Sequence, residues 1–360
     1  MLWLVMRKRV GIVVLSFQPP VVLLVSCMIA GMRPGDNDPA VGIIVVNFNG
    51  GGLVLDAVGS ALAQSLPPRR VIVVDNASAD GSADAIAEMY PGVELVRLDR
   101  NAGFAAANNV GIEMLDDCEF VALLNPDAFA DSSWLESLVT AARAQGDFAS
   151  FASRIERAKE PGILDSAGDV YHVYGTAWPG RQGKPSASAA APMEVFGASG
   201  AAALYRRAWL VRVGSFDERF FCYFEDVDLN LRLQVAGGRC LYVPEARVKH
   251  VGSAVTGRLS AFTLYHSHRN LVWTYAKSVP PHVLWRYLPM HVLLNLGSIV
   301  TFATHGHSKT LLRAKRDAVR GLPAMMRARR SVMSSAAFDR EDFDRVMTKG
   351  FRRLLRDTRS

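Results

Sequence analysis

Phe120-Val-Ala-Leu-Leu-Asn-Pro-Asp127 is the stretch that decides the fold. A short run of Phe, Val, Ala and Leu closed by Pro reads as a buried strand. Open α/β sheets place ligands just beyond the carboxyl ends of such strands, so Asp127 stands at the mouth of a cleft. Pro126 stops the strand and fixes the backbone, which presents the carboxylate on a stiff turn, as suits a hard oxygen ligand for Mg2+ or Mn2+. A plain turn before a helix over residues 132–144 explains the same residues, because Asn, Pro and Asp are common turn formers.

Upstream, strands are expected at 41–47, 70–75 and 93–97, separated by helices over 53–64, 82–89 and 105–114. Strands that are apolar throughout, alternating with helices, argue for a parallel sheet covered on both faces. Neither G-x-G-x-x-G after the first strand nor G-x-x-x-x-G-K-[ST] is present, so dinucleotide and P-loop sites are not supported. Three strand ends carry polar residues: Asn47-Phe48-Asn49 with Gly50 to Gly52, Asp75-Asn76 running on to Ser82, and Asn125-Pro126-Asp127. All three fall at one edge of a parallel sheet and so line one cleft. There Asp75 is placed to accept from a base N–H, and the glycines after Asn49 admit a ligand close to the backbone. Helix capping by Asp80 and Ser82 accounts equally for part of that loop.

Downstream, residues 145–195 are rich in Gly, Ala, Pro and Ser with little period, and read as a long, partly mobile excursion that helps to choose an acceptor. Gly197-Ala-Ser-Gly200 is a small-residue turn into a strand ending at Tyr205, with room for a substrate at Gly200 or simply for tight packing. In Phe216-Asp-Glu-Arg-Phe-Phe-Cys-Tyr-Phe-Glu225-Asp226-Val-Asp228 an aromatic segment gives way to three carboxylates opening a helix over 229–236. Acids in a first turn suit the helix dipole. An apolar surround also raises a carboxylate pKa towards the range useful to a general base. His250 follows a strand at 241–244; a lone His is commonly just hydrogen-bonded, but with Asp127 it completes a metal pair.

The chain has 360 residues, 50% hydrophobic and 21% charged, a globular composition for one large domain with additions. Cys27, Cys118, Cys222 and Cys240 form no C-x-x-C pair, which points to a reducing compartment without a zinc site or disulfide framework. A net charge of +7 points to an anionic partner and is concentrated after Lys309, as a basic tail. Residues 1–40 read as a doubtful leader or an over-extended start, since Gln18-Pro-Pro breaks the apolar run that follows Arg7-Lys-Arg9.

In this order Val45-Val-Asn-Phe-Asn-Gly, Val74-Asp-Asn-Ala-Ser-Ala-Asp-Gly-Ser, Asn101-Ala-Gly-Phe-Ala-Ala-Ala-Asn-Asn-Val-Gly, Leu124-Asn-Pro-Asp, Phe216-Asp-Glu-Arg-Phe-Phe and Phe224-Glu-Asp-Val-Asp resemble the family 2 glycosyltransferases, in their rhamnosyltransferase-like branch. The resemblance covers residues 41–269 and implies the α/β GT-A fold of nucleotide-diphospho-sugar transferases, with a mainly parallel central sheet. It implies that Asp127 and His250 hold a divalent cation, Mn2+ or Mg2+, although Asn125 stands where the family's metal motif has its first Asp. Phe48, Asn49, Asp75, Asn76, Asn101, Gly103, Asn108, Asn125 and Gly200 would line the substrate site. Asp226 matches the catalytic base, with Glu225 and Asp228 as its supporting or acceptor-contacting neighbours. The implied enzyme is an inverting hexosyltransferase that takes a nucleotide diphosphate sugar to a lipid-linked or envelope polysaccharide acceptor. A non-catalytic sugar-binding module on the same fold is the alternative.

The expected division is a leader at 1–40, a catalytic domain at 41–270 and a helical, basic extension at 271–360. Residues 271–305 are apolar but broken by Pro, His and Asn, and read as helices in a membrane interface with Trp285 and Tyr287 at headgroup level. Arg313, Lys315, Arg316, Arg320, Arg327, Arg329 and Arg330 then suit the anionic lipids of a cytoplasmic membrane face. A helical subdomain packed on the catalytic domain is the rival reading. No nucleic-acid motif or stacking aromatics accompany the basic run, and nothing in the sequence sets an oligomeric state.

Overall fold

The computed structural model describes residues 6–7, 12–13, 40–252, 260–303 and 306–350. The leader reading therefore falls almost wholly outside the described residues; within it, Met6–Arg7 pairs antiparallel with Ile12–Val13. From Pro39 onward the chain is a single unit.

Strands β1 (Val41–Asn47), β2 (Arg70–Asp75), β3 (Glu94–Arg97) and β4 (Phe120–Leu124) lie parallel in one sheet. Helices α1 (Gly51–Leu62), α2 (Ser82–Met89) and α3 (Phe104–Met114) connect them. These strands do not alternate in polarity because both faces are covered. Ile43, Val45 and Val73 pack with α1 and with α4 (Trp134–Ala144), while Ile44, Ile72 and Val74 pack with α3 on the other face.

Past β4 the sheet becomes mixed. Its further strands are β5 (Ala128–Ala130), β6 (Phe148–Arg157), β7 (Leu164–Ala167), β10 (Met193–Val195), β11 (Ala202–Arg206) and β12 (Arg239–His250), and the order is β10-β12-β6-β11-β4-β1-β2-β3. β11 runs antiparallel between β4 and β6, whereas β12 lies parallel to β6. The excursion expected over 145–195 is thus corrected: it supplies β6, β7 and β10 to the main sheet. Two further strands, β8 (Asp169–His172) and β9 (Ala177–Pro179), form a smaller sheet. The first eight residues of β6 are all buried. Small Ala and Ser side chains fit that crowded position and erase the alternation by which a strand is recognised.

After α5 (Arg207–Val213) and α6 (Glu225–Val235) come the helices α7 (Ala261–Ser278), α8 (Pro281–Ala303) and α9 (Ser308–Ser334), then α10 (Arg340–Val346). The boundary expected at residue 270 falls inside α7. A last strand, β13 (Met347–Thr348), pairs with β8, so the chain returns from its helices to the strand-rich half. Tyr171, Val227, Leu231, Tyr275, Leu284 and Phe343 share one core that joins the two halves.

Candidate active site

β1 and β2 end side by side, and their last side chains are tied to one another. Asn47, fully buried at the end of β1, donates from Nδ2 to Asp75 Oδ1 and to Ser82 Oγ, each at 2.8 Å. Asp75 Oδ2 accepts from the Ser78 amide at 3.1 Å, and Asn49 Oδ1 accepts from the Ala79 amide at 2.8 Å. Asn76 accepts from the Ala102 amide at 2.8 Å, which draws in the loop where Asn101 Oδ1 receives the Gly103 amide. Phe48 is half-buried and Asn49 exposed beside these loops. Asn108 lies apart from the strand ends: it is 1% exposed and its Nδ2 donates back to the Phe104 carbonyl within α3.

Asp127 and His250 are 123 positions apart, and strand pairing unites them. β5 pairs antiparallel with the end of β12 so that Ala128 faces His250. The His250 Nε2 then lies 3.2 Å from Asp127 Oδ1, while its Nδ1 lies 2.8 Å from Asp165 Oδ2 on β7. Burial pushes the imidazole down, but the two carboxylates push it up further, to about 9. Asp165 is the residue that sequence reasoning missed, and no local pattern marks it. A carboxylate on one nitrogen orients the other towards a ligand, the arrangement usual for metal-binding histidines. Among the described residues no group of three or more His, Cys, Asp and Glu forms a cage. One carboxylate and one imidazole therefore fit a divalent cation.

Asp226 opens α6 behind Phe224, whose φ is 68°. Its Oδ2 accepts from the Gly200 amide at 3.1 Å and its Oδ1 from the Val227 amide at 2.8 Å. The next residue, Ala201, accepts the Asn125 amide at 2.9 Å through its carbonyl. Asp226 and the Asn125-Pro126-Asp127 turn thus flank the same Gly200-Ala201 backbone. A Cβ on Gly200 would sit 3.5 Å from the Asp226 Oδ2, in ordinary contact, so the turn lies directly against this carboxylate. Burial lifts the Asp226 pKa despite its two backbone donors. Glu225 is 6% exposed, its Oε2 is buried without a hydrogen-bond partner, and burial followed by the Asp226 charge pushes it well up. Asp226, not Glu225, borders the Gly200 turn, so of the two it is better suited to act as a base. Asn125 Oδ1, also buried without a partner, marks a polar position at the cleft floor.

Asp228, expected to support the base or contact the acceptor, is held by buried groups of α6 and α7. It is 0% exposed and takes Lys277 Nζ at 2.8 Å, Arg232 Nε at 2.8 Å and Ser278 Oγ at 2.7 Å. Its work is to fasten α6 to α7.

The sequence profile of Glycosyl transferase family 2 matches residues 42–214. The chain is 30% identical to the N-acetylglucosaminyl-diphospho-decaprenol L-rhamnosyltransferase of Mycobacterium tuberculosis, over 71% of this chain and 89% of that one. Among solved structures it is similar to S. aureus TarS 1-349 in complex with UDP-GlcNAc, at TM-score 0.53 and 15% identity, covering 85% of this chain and 89% of that one. It is also similar to the mannosyltransferase PcManGT from Pyrobaculum calidifontis in complex with GDP-Man and Mn2+, at TM-score 0.50 and 18% identity over 84% and 89% of the two chains. With a relative of this identity matched over most of its length, and with the sheet and strand-end loops as described, the chain belongs to glycosyl transferase family 2 and is a glycosyltransferase of the GT-A fold.

Proposed function

We propose that the enzyme moves a hexose, L-rhamnose by its likeness to the mycobacterial relative, from a nucleoside diphosphate donor to a lipid-linked glycan acceptor, with inversion. The observation that carries the reading is the pair of sites flanking Gly200-Ala201: a half-buried carboxylate on one side, Asp127 with His250 on the other. The acceptor hydroxyl oxygen attacks the anomeric carbon as Asp226 takes its proton. A glycosidic C–O bond forms, the bond to the diphosphate breaks, and its electrons leave with the nucleoside diphosphate. Asp75 and the Asn101–Gly103 loop are assigned to the donor side and Gly200 to the reacting centre. A divalent cation on Asp127 and His250 would neutralise charge on the diphosphate. EDTA is expected to abolish transfer and Mn2+ to restore it; full activity in chelator, with His250→Ala binding Mn2+ as tightly as wild type, removes the cation from the reading. Assay with dTDP-rhamnose and other nucleotide sugars, following released nucleoside diphosphate, separates the enzyme from a binding module.

The enzyme is proposed to work peripherally on the cytoplasmic membrane face. Trp285, Val292, Leu293, Leu296 and Val300 form one exposed apolar face of α8, while its other face, through His291, stacks on Tyr275 at 3.8 Å. That helix spans about 34 Å and is apolar enough to cross a bilayer by composition. The packing of its inner face favours a helix lying along the surface. On α9, Arg313, Arg316, Arg320, Arg327 and Arg330 are exposed. Lys315 and Arg329 are exceptions to the expected basic run. Lys315 donates to Asn295 Oδ1 and the His268 carbonyl, and burial lowers it to about 7. Arg329 donates to the carbonyls of Ala276 and Val279. Reversing Arg313, Arg316 and Arg320 together to Glu is expected to weaken binding to anionic vesicles by at least roughly tenfold and to remove its salt dependence. Unchanged sedimentation with such vesicles defeats the membrane reading.

A further inference from the structure

We propose that Phe221, Tyr223, Phe262 and His266 form an apolar strip that receives the lipid chain of the acceptor, an inference that rests on the lipid-linked acceptor proposed above. The strip starts beside the reacting centre. Phe221 lies on Gly103, where a Cβ would come within 2.6 Å of it, and its carbonyl accepts the Ala105 amide at 3.1 Å. Phe104, between them in sequence, lies 3.4 Å from the place of a Gly200 Cβ, itself 3.5 Å from Asp226. From there the rings run outward: Phe221 stacks on His266 at 5.2 Å, His266 meets Phe262 at 4.6 Å, and Phe262 meets Tyr223 edge to face at 6.4 Å.

This arrangement is held against a cost. Phe221, Tyr223 and Phe224, at φ 68°, 63° and 68°, are three of the seven non-glycine residues with positive φ among the described residues. Bulky aromatic residues adopt that conformation only when their surroundings impose it. Asn270 on α7 imposes it, donating from Nδ2 to the carbonyls of Phe220, Cys222 and Tyr223 at 2.9, 3.0 and 2.6 Å. Core packing alone does not explain the result, because Phe262 remains 40% exposed. Burial, reinforced by the Arg269 charge, holds His266 down at about 4, so at neutral pH the strip carries no charge.

The strip leads towards the proposed membrane face. Tyr265 bonds Asp317 and, further along both helices, the Ala276 carbonyl accepts from Arg329, so α7 and α9 run in the same direction. His268 meets Phe302 and Tyr275 meets His291, so α8 runs in the opposite one. The start of α7, the end of α8 and the start of α9 therefore share one end of the bundle. There Val300 is 69% and Leu312 54% exposed, and Arg313, Arg316 and Arg320 share the single carboxylate of Asp317. An uncharged aromatic strip opening onto apolar residues with surplus positive charge fits a polyprenyl chain bearing a diphosphate.

The test compares N-acetylglucosaminyl diphosphate carried on decaprenol with the same sugar diphosphate on a butyl group, using the full-length enzyme. Phe262→Ala is expected to raise KM for the decaprenyl acceptor about tenfold, the order expected for losing a buried ring contact. It should leave kcat, the KM for the butyl acceptor and donor hydrolysis in water unchanged, and Phe262→Trp should restore the wild-type KM. An equal loss on both acceptors overturns the proposal in favour of a sugar-stacking or structural ring, and no loss on either overturns it outright. Wild-type transfer to the butyl acceptor alone sinks the strip while sparing the reaction. Transfer to neither brings down the acceptor reading and the strip with it.

Discussion

Asp226→Asn is expected to keep nucleotide-sugar binding and to lower transfer roughly 10^3-fold, the usual worth of a positioned general base. Shape is nearly constant, but the two oxygens of Asp226 each accept a backbone amide, from Gly200 and from Val227. An amide side chain offers one acceptor in place of two, so one of these N–H groups faces an NH2. The Gly200 turn is therefore also loosened, and part of the loss will appear as a raised KM for the acceptor. The wild-type acid limb of kcat/KM should lie above the ordinary carboxylate range, because burial lifts Asp226, and the variant should lack that limb. Single-turnover transfer and calorimetry with the donor separate the two effects. Turnover within tenfold of wild type would remove Asp226 as the base.

Asp228→Ala is expected to lower stability by about 3–5 kcal/mol, with Tm falling on the order of 10 °C, because it strands buried cations rather than removing a surface charge. Lys277 and Arg232 are 3% and 5% exposed, and both point at Asp228. Lys277 retains Asp217, so of the two it is Arg232, bonded also to the Val213 carbonyl, that loses its one carboxylate among the described residues. Burial acts to raise the Asp228 pKa, but Lys277 and Arg232 outweigh it and hold it below the usual value. A carboxylate whose folded pKa is depressed adds stability that is complete above its unfolded value near about 4 and is lost as pH falls through the folded one. Urea midpoints should therefore fall steeply with acid in wild type below about pH 4 and less steeply in the variant. Equal midpoints for the two proteins at pH 7 would show that the cluster contributes nothing net.

Sequence reading located what is encoded locally. The strands 41–47, 70–75 and 120–124 have the bounds expected from apolar runs that end in Asn or Asp, because burial on both faces leaves no other composition open to them. It failed where residues are small or partners distant. Phe148-Ala-Ser-Phe-Ala-Ser has the composition of a loop, and only its place between β11 and β12 makes it a strand. Asp165 approaches His250 through the pairing of β7 with β6 and β6 with β12, a register that no spacing reveals. For Asp228, the four-residue step to Arg232 is visible in the sequence, whereas Lys277, 49 positions away, is not. Nor does composition separate Lys315 and Arg329 from the exposed arginines of α9, since which face of a helix is covered depends on what packs there.

The three carbonyls gripped by Asn270 bear on how such an enzyme can be rebuilt. The helix that carries Asn270 and Lys277 both holds the loop before Glu225 and Asp226 and begins the bundle proposed to face the lipid. Exchanging that bundle for another anchor at residue 270 would cut through the fastening itself, so the graft would disable the chemistry it was meant to relocate. A working chimera must bring α7 together with the segment from Phe220 to Asp228 as one inherited unit. Retargeting by such grafts then means altering α8 and α9 alone.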